Sequence, residues 1–308
     1  MDDYLRECAT LWVISGVKGM GRRSINRMMR ELQRVGISLR EALSLGPYEL
    51  AERAPALENH ALAALQKVTE NDLAEGAFLL EALSETVGII TLHHQDYPRQ
   101  WKKMLKDDAP PFLYYQGNPE LLKEPACAVV GRRKVSPEGA EKAFHCGARI
   151  AEAGCVLVSG GASGVDMAGH NGALDAGKSS IVLLPQGIHT YAIPDNWHRP
   201  ADEGRLLLMS EYMPATGWHT AAALARNATI AAQARLVCVV EPRKTGGSIA
   251  TARHAIQQGK AVLISATDPL PADVEACALP MDELPRMLNE VMEMKEVSQD
   301  LFEGLGDF

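Results

Sequence analysis

Four short stretches of this chain combine residue types and spacings that can hold an anion. Residues 131–136 read GRRKVS: a glycine turn, three consecutive cations (Arg132, Arg133 and Lys134), and Ser136 where a helix is expected to start. Backbone N–H groups at a helix start and cationic side chains both favour phosphate. Ser136 also suits the N-cap role. Residues 159–172 read SGGASGVDMAGHNG, in which Ser159, Gly160, Gly161 and Gly164 form a turn that lets backbone come close to a ligand. This is neither GxGxxG nor GxxxxGK[ST], so neither a dinucleotide fingerprint nor a Walker-type loop is present. Residues 225–231, ARNATIA, put Arg226 and Asn227 near a helix start, which suits phosphate contacts or an ordinary helix equally. Residues 241–253, EPRKTGGSIATAR, are again strand, basic glycine-rich loop and helix, with Lys244, Gly247, Ser248 and Thr251 as candidates for phosphate and a solvated turn as the plainer reading.

Asp166 and His170 stand four apart, so a helix would place them on one face. That spacing fits acid–base chemistry or a metal pair. No third ligand lies nearby, and the expectation is structural: an aspartate at the helix start and a histidine packed under the loop. No metal and no cofactor is expected. Near the N-terminus, VKGMGRRS (residues 17–24) leads into INRMMRELQRVG. A hydrophobe, Gly-x-Gly and a basic helix start fit the hairpin of helix-hairpin-helix modules, whose glycines expose N–H groups to a DNA phosphate. A helical turn with a solvated charged face fits as well.

These loops need a scaffold. Residues 4 to about 84 carry leucine and alanine at helical spacing, broken near Gly46-Pro47 and Glu75-Gly76. From residue 126 short apolar runs alternate with helical segments: 127–131, 155–159, 180–185, 205–210, 235–241 and 261–265 as strands, and 137–153, 163–176, 220–234 and 247–258 as helices. Alternation of this kind predicts βαβ units on a parallel sheet, and all-apolar strands predict that both faces are covered. The loops should then converge at the carboxyl ends of the strands. The expected class is α/β: an extended Rossmann-like parallel sheet over 85–265, a helical, helix-hairpin-helix-like domain over 1–84, and a short acidic segment over 266–308.

The net charge of −8 argues against a nucleic-acid partner only until it is divided. Residues 125–265 carry fourteen Lys and Arg against ten Asp and Glu, whereas residues 266–308 carry two against eleven. The acidity sits largely at the end, and the glycine-rich middle is mildly basic. Within that end, MDELPRMLNEVMEMKEV fits a helix that covers a basic groove, holds a partner, or serves only as a solubilising tail. The start, MDDYLRECAT, lacks a basic lead and an apolar core, and no apolar run approaches the roughly 20 residues of a membrane span. The six cysteines form no CxxC pair. A reduced, cytoplasmic protein without a membrane partner is the simplest expectation.

Taken in order, VVGRRKVS, LVSGGASGVDMAGHNGAL, VLLPQGIHTYAIPDN, LLLMSEYMP, ARNATIAA and VCVVEPRKTGGSIATARHA resemble the DNA processing protein A (DprA/Smf) family over roughly residues 85–265. The lead-in HHQDYPRQWKKML and DDAPPFLYYQGNPELL is similar as well. The resemblance implies a non-enzymatic, dimeric, Rossmann-like protein that binds single-stranded DNA and hands it to a RecA-type recombinase in natural transformation. By motif it implies that Gly131, Arg133 and Ser136, then Ser159, Gly160 and Gly164, then Asn196, then Arg226 and Asn227, then Ser248 and Thr251 line the site, with Asp166 and His170 in its SGLARGID…AH stretch. The sequence departs from the family at Ser163 and Ala228, where arginine is usual, and at VLISATDPLP. Arg132, Arg235, Arg243 and Lys244 are the cations left to compensate. A sensor for a nucleotide or nucleotide derivative is the alternative function. A nucleotide phosphoribohydrolase would need a PGGxGTxxE signature, which is absent, and Asp166 and Glu211 are too few carboxylates to specify hydrolysis.

Overall fold

The structure, a computed structural model, describes the backbone of residues 3–303 and the side chains of residues 4–293. The chain divides into two compact units, residues 1–97 with 105–113, and residues 98–104 with 114–308. The first holds six helices, α1 (Asp3–Gly16), α2 (Arg22–Val35), α3 (Leu39–Ser44), α4 (Pro47–Arg53), α5 (Asn59–Leu65) and α6 (Glu70–Ser84), and then strand β1 (Gly88–Thr91). Cys8, Ala9, Ala77 and Leu80 join α1 to α6 in its core. A capping box between Thr69 and Asp72 opens α6.

The glycine hairpin between α1 and α2 forms, with Gly19 at φ 96° and Met20 N donating to the Val17 carbonyl at 3.0 Å. Its basic helix is not a free cationic face. Arg23 bonds both carboxylate oxygens of Asp108, at 2.7 and 2.8 Å. Arg27 reaches Asp107 and Glu58 at 3.0 Å each, Arg30 pairs with Asp107, and Arg34 with Glu31. These carboxylates lie up to 85 positions from their partners in sequence, which is why the helix reads as basic in isolation.

Helix α7 (Arg99–Leu105) and strand β2 (Phe112–Gly117) lead into the second unit. There the order is β3 (Ala126–Gly131), α8 (Pro137–Glu152), β4 (Val156–Ser159), α9 (Val165–Asp175), β5 (Ser180–Leu184), α10 (His198–Asp202), β6 (Leu206–Ser210), α11 (Thr220–Gln233), β7 (Leu236–Val240), α12 (Gly247–Gln257), β8 (Ala261–Ser265), α13 (Ala272–Glu275), β9 (Leu279–Pro280) and α14 (Leu284–Glu303). In space the strands run β2-β6-β5-β4-β3-β7-β8-β9. Only β2 is antiparallel to its neighbour, pairing Tyr114 with Ser210, and from β6 to β9 every pairing is parallel. Beginning at β3, the chain winds first toward β6 and then returns to β7 on the other side. The switch point between β3 and β7 is where a doubly wound sheet opens a crevice at its carboxyl ends.

Strands β4 to β7 are buried at every position, as continuous apolar runs require. Alternate residues face opposite layers. Cys127, Val129, Leu157, Cys238, Val240 and Leu263 face α8 and α9. The intervening set, including Ala128, Val130, Val237 and Val239, is equally buried, under α11 and α12. Helix α14 completes the first of these layers: Leu284, Met287, Leu288 and Val291 join the same core cluster as Ala143, Cys146 and Ile150 of α8. Within the acidic segment, the first turns of α14 are thus part of the core. The Val291 carbonyl accepts from Arg235, which precedes β7, and Met292 lies against Cys155, which precedes β4. Both contacts sit at the amino ends of the strands. The segment from 294 onward lies outside the described side chains. Among the described residues, no helix is long and apolar enough to cross a membrane.

Candidate nucleic-acid interface

A cleft of about 430 Å³ opens at the switch point. Gly131, Arg132 and Arg133 at the end of β3, Ala162 and Asp166 after β4, Arg243 and Thr245 to Ser248 after β7, and residues of α11 from Thr220 to Ile230 build its wall. Of the residues expected from sequence, Gly131, Arg132, Arg133, Arg226, Asn227, Gly247, Ser248 and Thr251 line it, and Asp166 joins them. Arg133 and Arg243 are exposed and, among the described residues, have no carboxylate partner. Lys134 and Lys244 are exposed beside the cleft loops without lining it.

Other expected contacts serve the scaffold. Ser136 caps α8, its Oγ accepting from Gly139 N at 3.0 Å. Its own donors are taken: Ser136 N gives to Glu241 Oε2 at 3.0 Å, and Ser136 Oγ donates to Oε1 of the same carboxylate. The anion expected at this helix start is therefore the protein's own Glu241, whose pKa is lowered chiefly by the Ser136 hydrogen bonds. Glu241 takes a left-handed backbone, φ 44°, to reach it. Ser159 donates to the Val129 carbonyl and ties β4 to β3. Asn196 is exposed and donates to Asn171, which also accepts from Trp197. Arg235 lies at the amino end of β7 and cannot compensate for a cation in the cleft.

The glycines of the 159–164 turn are required by packing. A side chain at Gly160 would meet the Arg226 guanidinium at 2.1 Å, and one at Gly164, which sits at φ 83°, would meet the Arg132 carbonyl oxygen at 2.5 Å. Gly161 similarly backs onto Val182 and Tyr191. Arg226 is 5% exposed, and its Nη1 donates to the carbonyls of Gly160, at 2.7 Å, and Leu183. Burial pushes its pKa down to about 10, with the Asp166 charge opposing. Asp166 accepts from Gly160 N at 3.2 Å, and burial raises its pKa against the field of Arg226. His170 is fully buried, its Nδ1 on Ser180 Oγ at 2.7 Å and its ring edge-to-face with Trp197. Burial pushes it down to about 3, which keeps it neutral. Among the described residues no group of three His, Cys, Asp or Glu is placed for a metal ion.

Two features of the site escape the sequence. Arg132 is pinned by Asp268, 136 positions away, while its Nε donates to the Glu241 carbonyl at 3.1 Å. Asp268 is half exposed, so the worth of the pair is small. Asp268→Asn is expected to free the arginine and raise oligonucleotide affinity roughly two- to fivefold at low salt. Titrations of the variant beside the unsubstituted chain check this, and an unchanged affinity would mean that Arg132 does not reach the ligand. The second feature is Trp218, 48% exposed, with the Arg133 guanidinium 5.5 Å from its ring centroid. Its position next to Gly217 in the β6–α11 connection was the available signal.

Residues 88–298 match the family model described as DNA recombination-mediator protein A. DNA processing protein DprA of Streptococcus pneumoniae is 36% identical over 156 residues, which are 50% of this chain and 55% of that protein. The chain thus spans about half the length of that relative. The X-ray structure of the S. pneumoniae protein matches with a TM-score of 0.65 at 24% identity, covering 94% of each chain. A structure of DNA processing protein A from Helicobacter pylori, described for its single-stranded DNA binding mode, matches with a TM-score of 0.55 at 26% identity, over 67% of this chain and 96% of that one.

Proposed function

The chain belongs to the DNA recombination-mediator protein A family, and from that premise we propose that its cleft holds the backbone of single-stranded DNA without cutting it. The observation that carries this reading is the pairing of Arg133 and Arg243, both exposed and free of carboxylate partners among the described residues, at the mouth of the switch-point cleft. The N-termini of α11 and α12 open onto the same space, so fixed dipoles and mobile cations favour the same sign of ligand. Asp166 is engaged by a backbone amide and His170 by Ser180 and Trp197, which suits a positioning scaffold better than hydrolysis. A RecA-type recombinase as protein partner, a homodimer, a cytoplasmic location and a part in DNA uptake go with the family reading.

Arg133→Ala is expected to weaken oligonucleotide binding by about 1–3 kcal/mol, the range for a charge-assisted hydrogen bond. Labelled oligo-dT measured at two salt concentrations checks it, since losing one phosphate contact should also flatten the salt slope by about one. Unchanged affinity in a folded variant would remove Arg133 from the site. A cleft of about 430 Å³ also suits one small ligand, which favours the nucleotide-sensor reading as second. Mononucleotides that bind while oligo-dT does not would decide for it.

A further inference from the structure

We propose that Trp218 is a stacking platform for a nucleobase, so that this cleft takes single-stranded nucleic acid by its bases as well as its backbone. The inference rests on the single-strand reading above and deepens it. Among the described residues of the second unit, the exposed large apolar side chains are Trp218 and Leu224, 48% and 51% exposed, and both line the cleft. The outward face of α11 continues with Ala221 and Ala225, both exposed and uncharged. Such a face has nothing to offer a phosphate, but a flat apolar surface beside cations fits a base joined to its phosphate.

The indole is held where it stands. His219, the next residue, is the N-cap of α11, its Nδ1 accepting from Ala222 N at 3.2 Å. The His219 ring packs edge-on to Tyr212 at 5.7 Å, which fixes the chain on the C-terminal side of Trp218. Arg133 stands over the indole ring at 5.5 Å. A guanidinium that stacks on an aromatic while its donors face outward can bind phosphate without leaving the ring. Arg133 and Trp218 would therefore contact the two halves of one nucleotide, with Arg243, which lines the same cleft, for the next phosphate. Stacking on a platform of this kind tolerates every base, so the selectivity is for the presence of bases and not for their sequence.

The experiment compares oligo-dT with an abasic oligomer of equal length and identical backbone, using the full chain. The unsubstituted protein is expected to prefer oligo-dT by roughly 5- to 100-fold. Trp218→Phe should keep most of that preference. Trp218→Ala should bind both polymers equally, at the weaker level, with an unchanged melting temperature because the side chain is exposed. Tryptophan fluorescence quenched by oligo-dT in the unsubstituted chain should be unresponsive in Trp218→Phe, since Trp101 and Trp197 are buried and the half-buried Trp12 belongs to the first unit. Equal affinity of the unsubstituted protein for the two polymers overturns the platform and leaves the backbone reading standing. Trp218→Ala that abolishes self-association and leaves the polymer preference intact also overturns it, assigning the surface to a second copy. Binding of neither polymer overturns both readings.

Discussion

A chain ended after Glu283 is expected to lose most of the folding stability of its second unit, and with it any nucleic-acid binding. Four apolar side chains of α14, Leu284, Met287, Leu288 and Val291, are at most 9% exposed and share one cluster with α8 and the sheet. Burying such a side chain is worth about 1.5–3 kcal/mol, so the four together are worth roughly 6–12 kcal/mol as an upper estimate. That equals the whole stability of an ordinary domain. The opposite outcome would follow if the acidic end competed with DNA for the cleft: truncation would raise affinity and steepen the salt dependence. The geometry speaks for the first outcome. Val291 and Met292 meet Arg235 and Cys155 at the amino ends of β7 and β4, whereas the cleft lies at their carboxyl ends. A strand of that length separates the two by about 16 Å, roughly two Debye lengths in physiological salt. Leu288→Asp gives a milder test of the same contact. Thermal melts and oligo-dT titrations of both variants decide it. A truncated chain that melts at the original temperature and binds more tightly would restore the competition idea.

The βαβ order was legible because β3, β4, β5 and β7 are apolar runs bounded by glycine, serine or charge, and because a buried strand tolerates nothing else. The convergence of the 131–136, 159–166 and 243–251 loops follows from that order alone. What stayed hidden is the pairing of charges across long separations. GRRKVS reads as an open anion trap, yet Glu241, 105 positions on, fills the helix start and Asp268 holds the first arginine. The arginines of α2 read as a DNA-binding face, yet Asp107, Asp108 and Glu58 neutralise them. Motif spacing reports which side chains are near one another along a helix or loop. It does not report which carboxylate tertiary folding brings alongside. Trp218 was missed for a related reason: an aromatic residue in a connection is ordinarily buried, and its exposure is a property of the fold.

Arg226 illustrates the same point most sharply, because it is a site residue by motif and a structural one by contact. Arg226→Ala is expected to destabilise the second unit by up to about 3–5 kcal/mol, the range for leaving buried groups without the charge that compensates them. Three losses combine. The carbonyls of Gly160 and Leu183 lose their shared donor at the ends of β4 and β5. The turn at Gly160, shaped so closely to the guanidinium that no side chain fits, loses the group it was built around. Asp166 keeps its burial and loses its compensating cation. The third loss has a pH signature. Burial already raises the Asp166 pKa and Arg226 opposes that rise, so the variant's carboxyl titrates higher still. A group whose folded pKa lies above its unfolded value contributes stability fully present below the unfolded pKa of about 4 and lost as pH rises through the folded one. The destabilisation by Arg226→Ala should therefore be larger at about pH 8 than at about pH 5, and adding Asp166→Asn should flatten the difference. Arg226→Lys should recover only part of the loss, since the terminal guanidinium nitrogen that meets both carbonyls is replaced by an ammonium on a stem of different shape. Denaturant unfolding of the three variants at the two pH values tests the account. An equal loss at both would show that Asp166 does not depend on Arg226, and a folded Arg226→Ala of undiminished stability that fails to bind oligo-dT would make the arginine a ligand contact first.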